Sequence, residues 1–316
     1  MNSVLVTGGA GFIGSHLTRA LLAQGTHVRV LDNLATGHRH NLASIWKDIE
    51  FVEGDLRELA DCQLACRGVD AVFHLGALGS VPRSIDDPAT SNAVNVIGTL
   101  NMLMAAREAG VRRLVFSSSS SVYGDTPTLP KHEGMRLNPR SPYAVTKMAG
   151  EEYCRAFFQT YGLEAVAIRY FNVFGPRQDP ESAYAAVIPR FMKALLENRP
   201  ITIFGDGEQS RDFTYVDNVV HANILAASAP DAGGRVMNVA CGQQFTVNEL
   251  GAKISALMGV PFAPEYKPTR AGDVQHSRAD IAQAQEVLGY QPKVLFDEGL
   301  KYTVEAFLAA ERQPTK

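Results

Sequence analysis

Tyr143 and Lys147 stand four residues apart in the stretch Ser141-Pro142-Tyr143-Ala144-Val145-Thr146-Lys147. Ser141 suits a helix N-cap and Pro142 suits the first turn. The spacing therefore predicts that Tyr143 and Lys147 share one helical face, a turn apart. A free phenol ionises near pH ~10 and is a weak base at neutrality. A neighbouring ammonium favours the phenolate and lowers that value, which makes the pair a candidate general base and acid. Tyr-x-x-x-Lys also arises by chance on helix surfaces, so the elements around it must decide.

The first of those elements lie at the start of the chain. Val4-Leu5-Val6 reads as a buried strand, and Thr7-Gly8-Gly9-Ala10-Gly11-Phe12-Ile13-Gly14 opens a helix running to about Gln24. A second strand, Val28-Arg29-Val30-Leu31, ends at Asp32. Strand, glycine turn, helix, strand and acid form a dinucleotide-binding fingerprint in its required context. Glycines let backbone N–H groups approach a pyrophosphate at the helix N-terminus, where the dipole also favours anions. Asp32, about 18 residues past Gly14, can accept hydrogen bonds from a ribose and would repel a 2′-phosphate. This favours NAD over NADP. The competing reading is a tight turn followed by a surface acid.

The alternation continues. Strands are predicted at Phe51-Val52-Glu53-Gly54-Asp55-Leu56, at Asp70-Ala71-Val72-Phe73-His74-Leu75, at Arg113 to Phe116 and at Ala165 to Ile168. A long helix is expected over about 88–110 and another over about 142–161. Repeated strand–helix units predict an α/β fold, a Rossmann-type doubly wound parallel sheet. Ligands in such sheets sit at the carboxyl ends of the strands, which singles out 7–14, 32–37, 55–57, 74–84, 117–123 and 169–178. His74 reads as a structural histidine at a strand end. The run Ser117 to Ser121 is either a polar loop or a source of an active-site hydroxyl.

Past about residue 170 prolines and glycines become frequent and elements shorten. A smaller C-terminal α/β substrate-binding domain is expected over 171–316, after an NAD-binding Rossmann domain over 1–170 to which about 212–230 returns. Two loops there carry arginines, Gln209-Ser210-Arg211-Asp212 and Thr269-Arg270-Ala271-Gly272-Asp273. Their planar guanidinium forks suit phosphate oxygens, although each loop could equally be solvated. Val216 to Ala229 and Asp297 to Ala310 read as amphipathic helices.

Composition narrows the field. The chain has 316 residues, is 46% hydrophobic and 20% charged, and carries a net charge of −3. Such totals fit a globular protein and argue against general affinity for nucleic acid or an anionic membrane. No run approaches the ~18 apolar residues of a membrane span, and the N-terminus lacks the basic and apolar regions of a signal peptide. Cys62, Cys66, Cys154 and Cys241 are scattered, without metal-site spacing. They read as reduced thiols of a cytoplasmic protein.

Taken together, these residues resemble the extended short-chain dehydrogenase/reductase superfamily, and within it the nucleotide-sugar 4-epimerases. The shared stretches are Gly8, Gly11 and Gly14, Asp32-Asn33, Gly54-Asp55-Leu56, Ser117-Ser118-Ser119, Val122-Tyr123-Gly124, Tyr143 with Lys147, and Arg169-Tyr170-Phe171-Asn172. Gly76 to Ser84, Ala185 to Pro189, Arg270 to Val274 and His276-Ser277 are similar to the bacterial UDP-N-acetylglucosamine 4-epimerases.

The resemblance implies a redox cycle without net oxidation. Tyr143 would take the proton of a sugar 4-hydroxyl while carbon 4 passes hydride to NAD. The 4-keto sugar would then turn over and be reduced on its other face. Lys147 would hold the nicotinamide ribose and lower the Tyr143 pKa, and Ser119 would bind the reacting oxygen. Gly8, Gly11, Phe12, Ile13, Gly14, Asp32, Asn33, Asp55, Leu56, Leu75, Ala77 and Tyr170 would complete the NAD site. Ser80, Ser120, Ser121, Asn172, Val187, Arg211, Arg270, Asp273 and Ser277 would hold the UDP-sugar. Gly79 departs from the galactose-type pattern, which has a lysine near the cofactor diphosphate.

Related dehydratases carry an Asp-Glu pair where Ser120 and Ser121 stand, and hydroxyls are poor substitutes for that acid–base work. A serine at 277, where hexose-only epimerases tend to carry tyrosine, leaves space for an N-acetyl group. UDP-glucuronate or UDP-glucose 4-epimerase activity and a non-enzymatic NAD-binding protein are the alternatives. A homodimer pairing helices around 88–110 and 142–161 is expected by analogy.

Overall fold

A computed structural model describes residues 1–180, 182, 185–269 and 274–312. Seven parallel strands form its central sheet: β1 (Ser3–Thr7), β2 (His27–Asp32), β3 (Ile49–Glu53), β4 (Ala71–His74), β5 (Arg113–Ser119), β6 (Glu164–Tyr170) and β7 (Val236–Val239). Their spatial order is 7-6-5-4-1-2-3. The direction of travel reverses between β1 and β4, and a ligand crevice opens at such a switch point.

Side-chain alternation sends successive residues of a strand to opposite faces. Val4 and Val6 face one way, with Val28, Val30 and Phe73, and are covered by Leu17 and Leu21 of α1 (Phe12–Ala23) and by Val219, Ala222 and Ala226 of α8 (Val216–Ser228). Leu5, Val72, Leu114 and Phe116 face the other way. They meet α2 (Leu59–Cys66), α5 (Gly98–Glu108) and α6 (Pro142–Tyr161). Burying one such aliphatic side chain contributes ~1.5–3 kcal/mol, so the double cover commits the sheet to this register.

Several predicted boundaries shift. The third strand ends at Glu53, because Gly54 turns the chain and Asp55 and Leu56 lie in the loop beyond. The fifth strand runs on to Ser119, so Ser117, Ser118 and Ser119 of the serine run are sheet. The helix expected over 88–110 is three pieces, α4 (Pro88–Asn92), a π-helical turn (Ala93–Ile97) and α5. Strand β7 was not foreseen.

The remaining chain adds three two-stranded ladders. Val173–Phe174 pairs with Thr214–Tyr215, Ser210–Arg211 with Phe245–Thr246, and Thr202–Phe204 with Glu265–Lys267. Around them lie α7 (Val187–Leu196), α9 (Val247–Met258), α10 (Ala282–Leu288) and α11 (Phe296–Glu311). All four cysteines are free and buried. Among the described residues no helix is long and apolar enough to cross a membrane.

Candidate active site

Two clefts open at the carboxyl ends of the strands. The larger, about 540 Å³, is walled by Gly8, Gly11, Phe12, Ile13, Gly14, Asp32, Asn33, Asp55, Leu56, Leu75, Ala77 and Ser80 among others. Its floor needs glycine for two separate reasons. Gly8 has φ +67° and its Cα side lies against the Gly76 backbone, where a Cβ would come within 2.8 Å. A Cβ on Gly14 would come within 2.1 Å of the Gly8 carbonyl oxygen. The turn is thus packed backbone on backbone.

Helix α1 then starts at Gly11, an N-cap with no side-chain acceptor for its first-turn amides. Those amides and the helix dipole suit an anion. Asp32, at the end of β2, accepts from Ala10 N at 2.9 Å and from Leu34 N at 2.8 Å. Each carboxylate oxygen keeps a lone pair for a further donor such as a ribose hydroxyl. Burial pushes the Asp32 carboxyl above its usual range, and the two backbone bonds oppose that. These features fit a dinucleotide. Asn33 donates to Asp55 at 2.9 Å, and Arg57 clasps the same carboxylate at 2.7 Å, which holds Asp55 well below its ordinary pKa.

The second cleft, about 400 Å³, has apolar walls from Phe174, Phe191, Phe204 and Phe213, with Asn172, Val187 and Arg211 at its edge. Flat apolar walls with a guanidinium suit an aromatic base joined to phosphate. Gln178, Ala185 and Ala186 line both clefts, so the two share a wall. Asn172 has φ +28°, a strained conformation of the kind that clusters at functional sites.

The candidate acid–base group stands on α6. Ser141 caps the helix, its Oγ accepting from Ala144 N at 3.2 Å, and Pro142 occupies the first turn. Buried Ser84 accepts from Tyr143 N at 3.0 Å and so ties the helix start to α3 (Val81–Asp86). The Tyr143 side chain lies near Ser119, the last residue of β5, which favours its phenolate. Buried Lys147 donates to the Ser117 carbonyl at 2.7 Å, and its Nζ is 5.9 Å from the Tyr143 ring centre.

Desolvation raises the Tyr143 pKa, and Ser119 pulls it down. The phenol is half-buried, while the Lys147 ammonium is directed at a peptide carbonyl. Burial also lowers the Lys147 pKa to about 8, against the opposing pull of Glu151.

Other expected residues fall differently. The Tyr170 side chain is buried outside either cleft, its hydroxyl bonded to Asn223 at 3.0 Å. Ser120 and Ser121 lie in the 3-10 turn after β5, and Ser121 Oγ is a buried atom without a partner. Ser277 is buried, its N–H bonded to the Ser210 carbonyl at 3.0 Å, and lines neither cleft. Arg270 and Asp273 lie outside the described residues. His74 is structural, as read: its ring meets Thr7 Oγ1 at 2.8 Å and Thr99 Oγ1 at 3.1 Å.

Two residues went unread in the sequence. Gln178 Oε1 is buried without a partner at the shared wall. Asn95, within the π-helical turn, accepts from Leu78 N at 2.8 Å and donates to Leu78 O and to Thr146 Oγ1. Thr146 in turn donates to the Tyr143 carbonyl at 2.7 Å. Asn95 thus links the loop after β4 to the tyrosine helix. Its sequence signal was weak, one of three asparagines, Asn92, Asn95 and Asn101, in the predicted helix.

The fold and this site define a dinucleotide-dependent enzyme of the short-chain dehydrogenase/reductase type. The sequence pattern of the NAD dependent epimerase/dehydratase family matches residues 4–240, and the chain belongs to that family. It is 46% identical over 308 residues to a UDP-glucose 4-epimerase of Mycolicibacterium smegmatis, covering 96% of this chain and 97% of the relative. A UDP-N-acetylglucosamine 4-epimerase from Methanobrevibacter ruminantium, solved with UDP-N-acetylmuramic acid, superposes with a TM-score of 0.93 at 41% identity, covering 98% of this chain and 99% of that one. The Thermus thermophilus UDP-glucose 4-epimerase, solved with NAD, gives a TM-score of 0.89 at 39% identity, covering 98% of this chain and 99% of that one.

The Asn95 bridge has a measurable cost. Asn95→Ala strands the buried Leu78 N–H and is expected to lower stability by about 1–3 kcal/mol in urea unfolding.

Proposed function

We propose that the chain is an NAD-dependent 4-epimerase of UDP-hexoses. It interconverts UDP-N-acetylglucosamine with UDP-N-acetylgalactosamine, and UDP-glucose with UDP-galactose. The observation that carries the reading is the half-buried Tyr143 beside Ser119 at the end of β5, with buried Lys147 one turn behind it. That end of the sheet serves one cleft suited to a dinucleotide and another suited to a base and phosphate.

In this reading Tyr143 removes the proton of the sugar 4-hydroxyl and later returns it. Ser119 holds the reacting oxygen and favours the phenolate through its hydrogen bond. Lys147 supplies a fixed positive charge beside the cofactor ribose. NAD, held by Gly8, Gly11, Phe12, Ile13, Gly14, Asp32, Asn33, Asp55, Leu56, Leu75 and Ala77, supplies a reversible hydride acceptor for carbon 4. Arg211, Arg270 and Asn172 anchor the diphosphate side, Asp273 the uridine ribose, and Val187 the uracil wall. In this reading the sugar meets the short side chains Ser80, Ser120 and Ser121 and is free to turn between its oxidation and its reduction.

Acceptance of the 2-acetamido group draws on the unpartnered Gln178 carbonyl at the shared wall, which can take an amide N–H; Ser277, which lines neither cleft, enters through the resemblance alone. A second reading, confined to UDP-glucose and UDP-galactose, draws on the name of the mycolicibacterial relative. The four buried free cysteines support a cytoplasmic location. The reading also divides the chain near residue 170 into a cofactor lobe and a sugar-nucleotide lobe, with about 212–230 returning to the first.

Incubation with UDP-N-acetylglucosamine, UDP-glucose and UDP-glucuronate in parallel, without added NAD, is expected to yield 4-epimers of the first two. Tyr143→Phe is expected to abolish turnover while bound NAD persists; undiminished turnover would remove Tyr143 as the base. Ser277→Tyr is expected to suppress turnover of the N-acetylated sugar and spare UDP-glucose, and equal loss of both would refute the role given to Ser277. A homodimer is proposed through the faces that expose Ile97 and Val145, and light scattering should return twice the chain mass of 34.2 kDa.

A further inference from the structure

Behind the acid–base pair lies a buried polar cluster that the reaction as described leaves unused. Glu151 stands on α6, one turn beyond Lys147, and its side chain is 1% exposed. One oxygen accepts from Ser118 Oγ and from Arg169 Nε at 2.8 Å, and the other accepts from Arg169 Nη2 at 2.7 Å. Arg169, on β6, is 4% exposed and also donates to the Tyr123 hydroxyl at 2.8 Å, which donates to Asn238 on β7 at 2.7 Å.

A buried ion pair with this many partners contributes little net stability for the desolvation it demands. Its recognised use is to hold one arrangement against others. What it holds here is specific. Ser118 lies between Ser117, whose carbonyl takes the Lys147 ammonium, and Ser119, which lies near the Tyr143 side chain and favours its phenolate. The Glu151 carboxylate therefore joins the strand bearing both partners to the helix bearing the pair.

Charge points the same way. The groups facing Lys147 are Tyr143, Glu151 and Cys154 on its own helix and His74 on β4, with Arg169 and Tyr170 on β6 beyond them. From β5 it meets the Ser117 carbonyl and the Phe116 ring. Burial keeps His74 uncharged and holds the Cys154 thiol and both phenols in their protonated forms. Among the described residues facing Lys147, Glu151 is the one anion.

We propose that Ser118 and Glu151 are positioning residues for the reaction: their clasp sets the serine strand against the Tyr143 helix, and the Glu151 carboxylate is the counter-charge of Lys147. The inference rests on the acid–base reading of Tyr143 and Lys147. Lys147 has a pKa of about 8, so activity that needs its ammonium falls as pH rises through that value. Without the carboxylate the ammonium loses its proton sooner, and the fall moves to lower pH.

The test uses full-length enzyme with its bound NAD. Ser118→Ala cuts the clasp and leaves Glu151 paired with Arg169. It is expected to keep its melting temperature, NAD content and KM for the UDP-sugar while kcat drops on the order of 10- to 100-fold. Ser118→Thr, which retains the hydroxyl, is expected to recover most of that loss. Glu151→Gln is expected to move the alkaline limb of kcat downward by roughly one pH unit. If Glu151→Gln does not fold, the two Ser118 variants decide. An unchanged kcat in Ser118→Ala overturns the proposal. So does a loss that tracks NAD content and melting temperature, and so does a fixed alkaline limb in a folded Glu151→Gln. Tyr143→Phe serves as the reference: full turnover there defeats the acid–base reading itself, whatever the Ser118 arms return.

Discussion

An ammonium pointed at a peptide carbonyl, in a place water does not reach, is the constraint on which the site depends. Lys147 is buried between α6 and β5, and its hydrogen bond to Ser117 fixes how far the helix sits from the strand. Charges are costly to bury, and they persist only where donors and acceptors surround them. The sequence around Lys147 meets that demand from three elements, with the Ser117 carbonyl on β5, the Glu151 carboxylate on α6 and, behind it, the Arg169 fork on β6. The reactive phenol inherits its position from this arrangement, because Ser119 is two residues along the same strand.

The parallel sheet gathers the rest. Every strand ends on the same side, so the glycine turn after β1, Asp32 after β2, the loop after β4 and the serines ending β5 converge without any long excursion of the chain. Tight packing then removes slack. Gly8 and Gly14 bring backbone against backbone, and Ser84 and Asn95 bond the neighbouring loop and helix to the start of α6. The interruption of the helix at Ala93–Ile97 belongs to the same design, since π-helical turns recur at functional sites. Here it carries the one amide that reaches both the Leu78 loop and Thr146.

Much of this was readable in advance. Apolar triplets such as Val4-Leu5-Val6 and the glycine spacing at 8, 11 and 14 announce a strand and a phosphate turn, because those signals are local. The Ser-Pro start and four-residue spacing of Tyr143 and Lys147 are local too, and α6 matches its predicted span. Harder to read were features set by contacts distant in sequence. Strand β7 is a four-residue edge strand whose place is decided by pairing with β6. Gln178 matters only because a loop folds over two clefts. Tyr170 resembles a cofactor contact in the linear pattern, yet its hydroxyl is drawn away by Asn223, fifty-three positions further on.

By itself the sequence determined the first six strands, the dinucleotide turn and the identity of the candidate base, since each follows from residue type and short spacing. Tertiary structure alone decided the electrostatics. How Lys147 acts on Tyr143 depends on where the ammonium points and how much water remains, and folding directed it at the Ser117 carbonyl. Distance and desolvation govern such effects, and neither exists until strand and helix have been packed together.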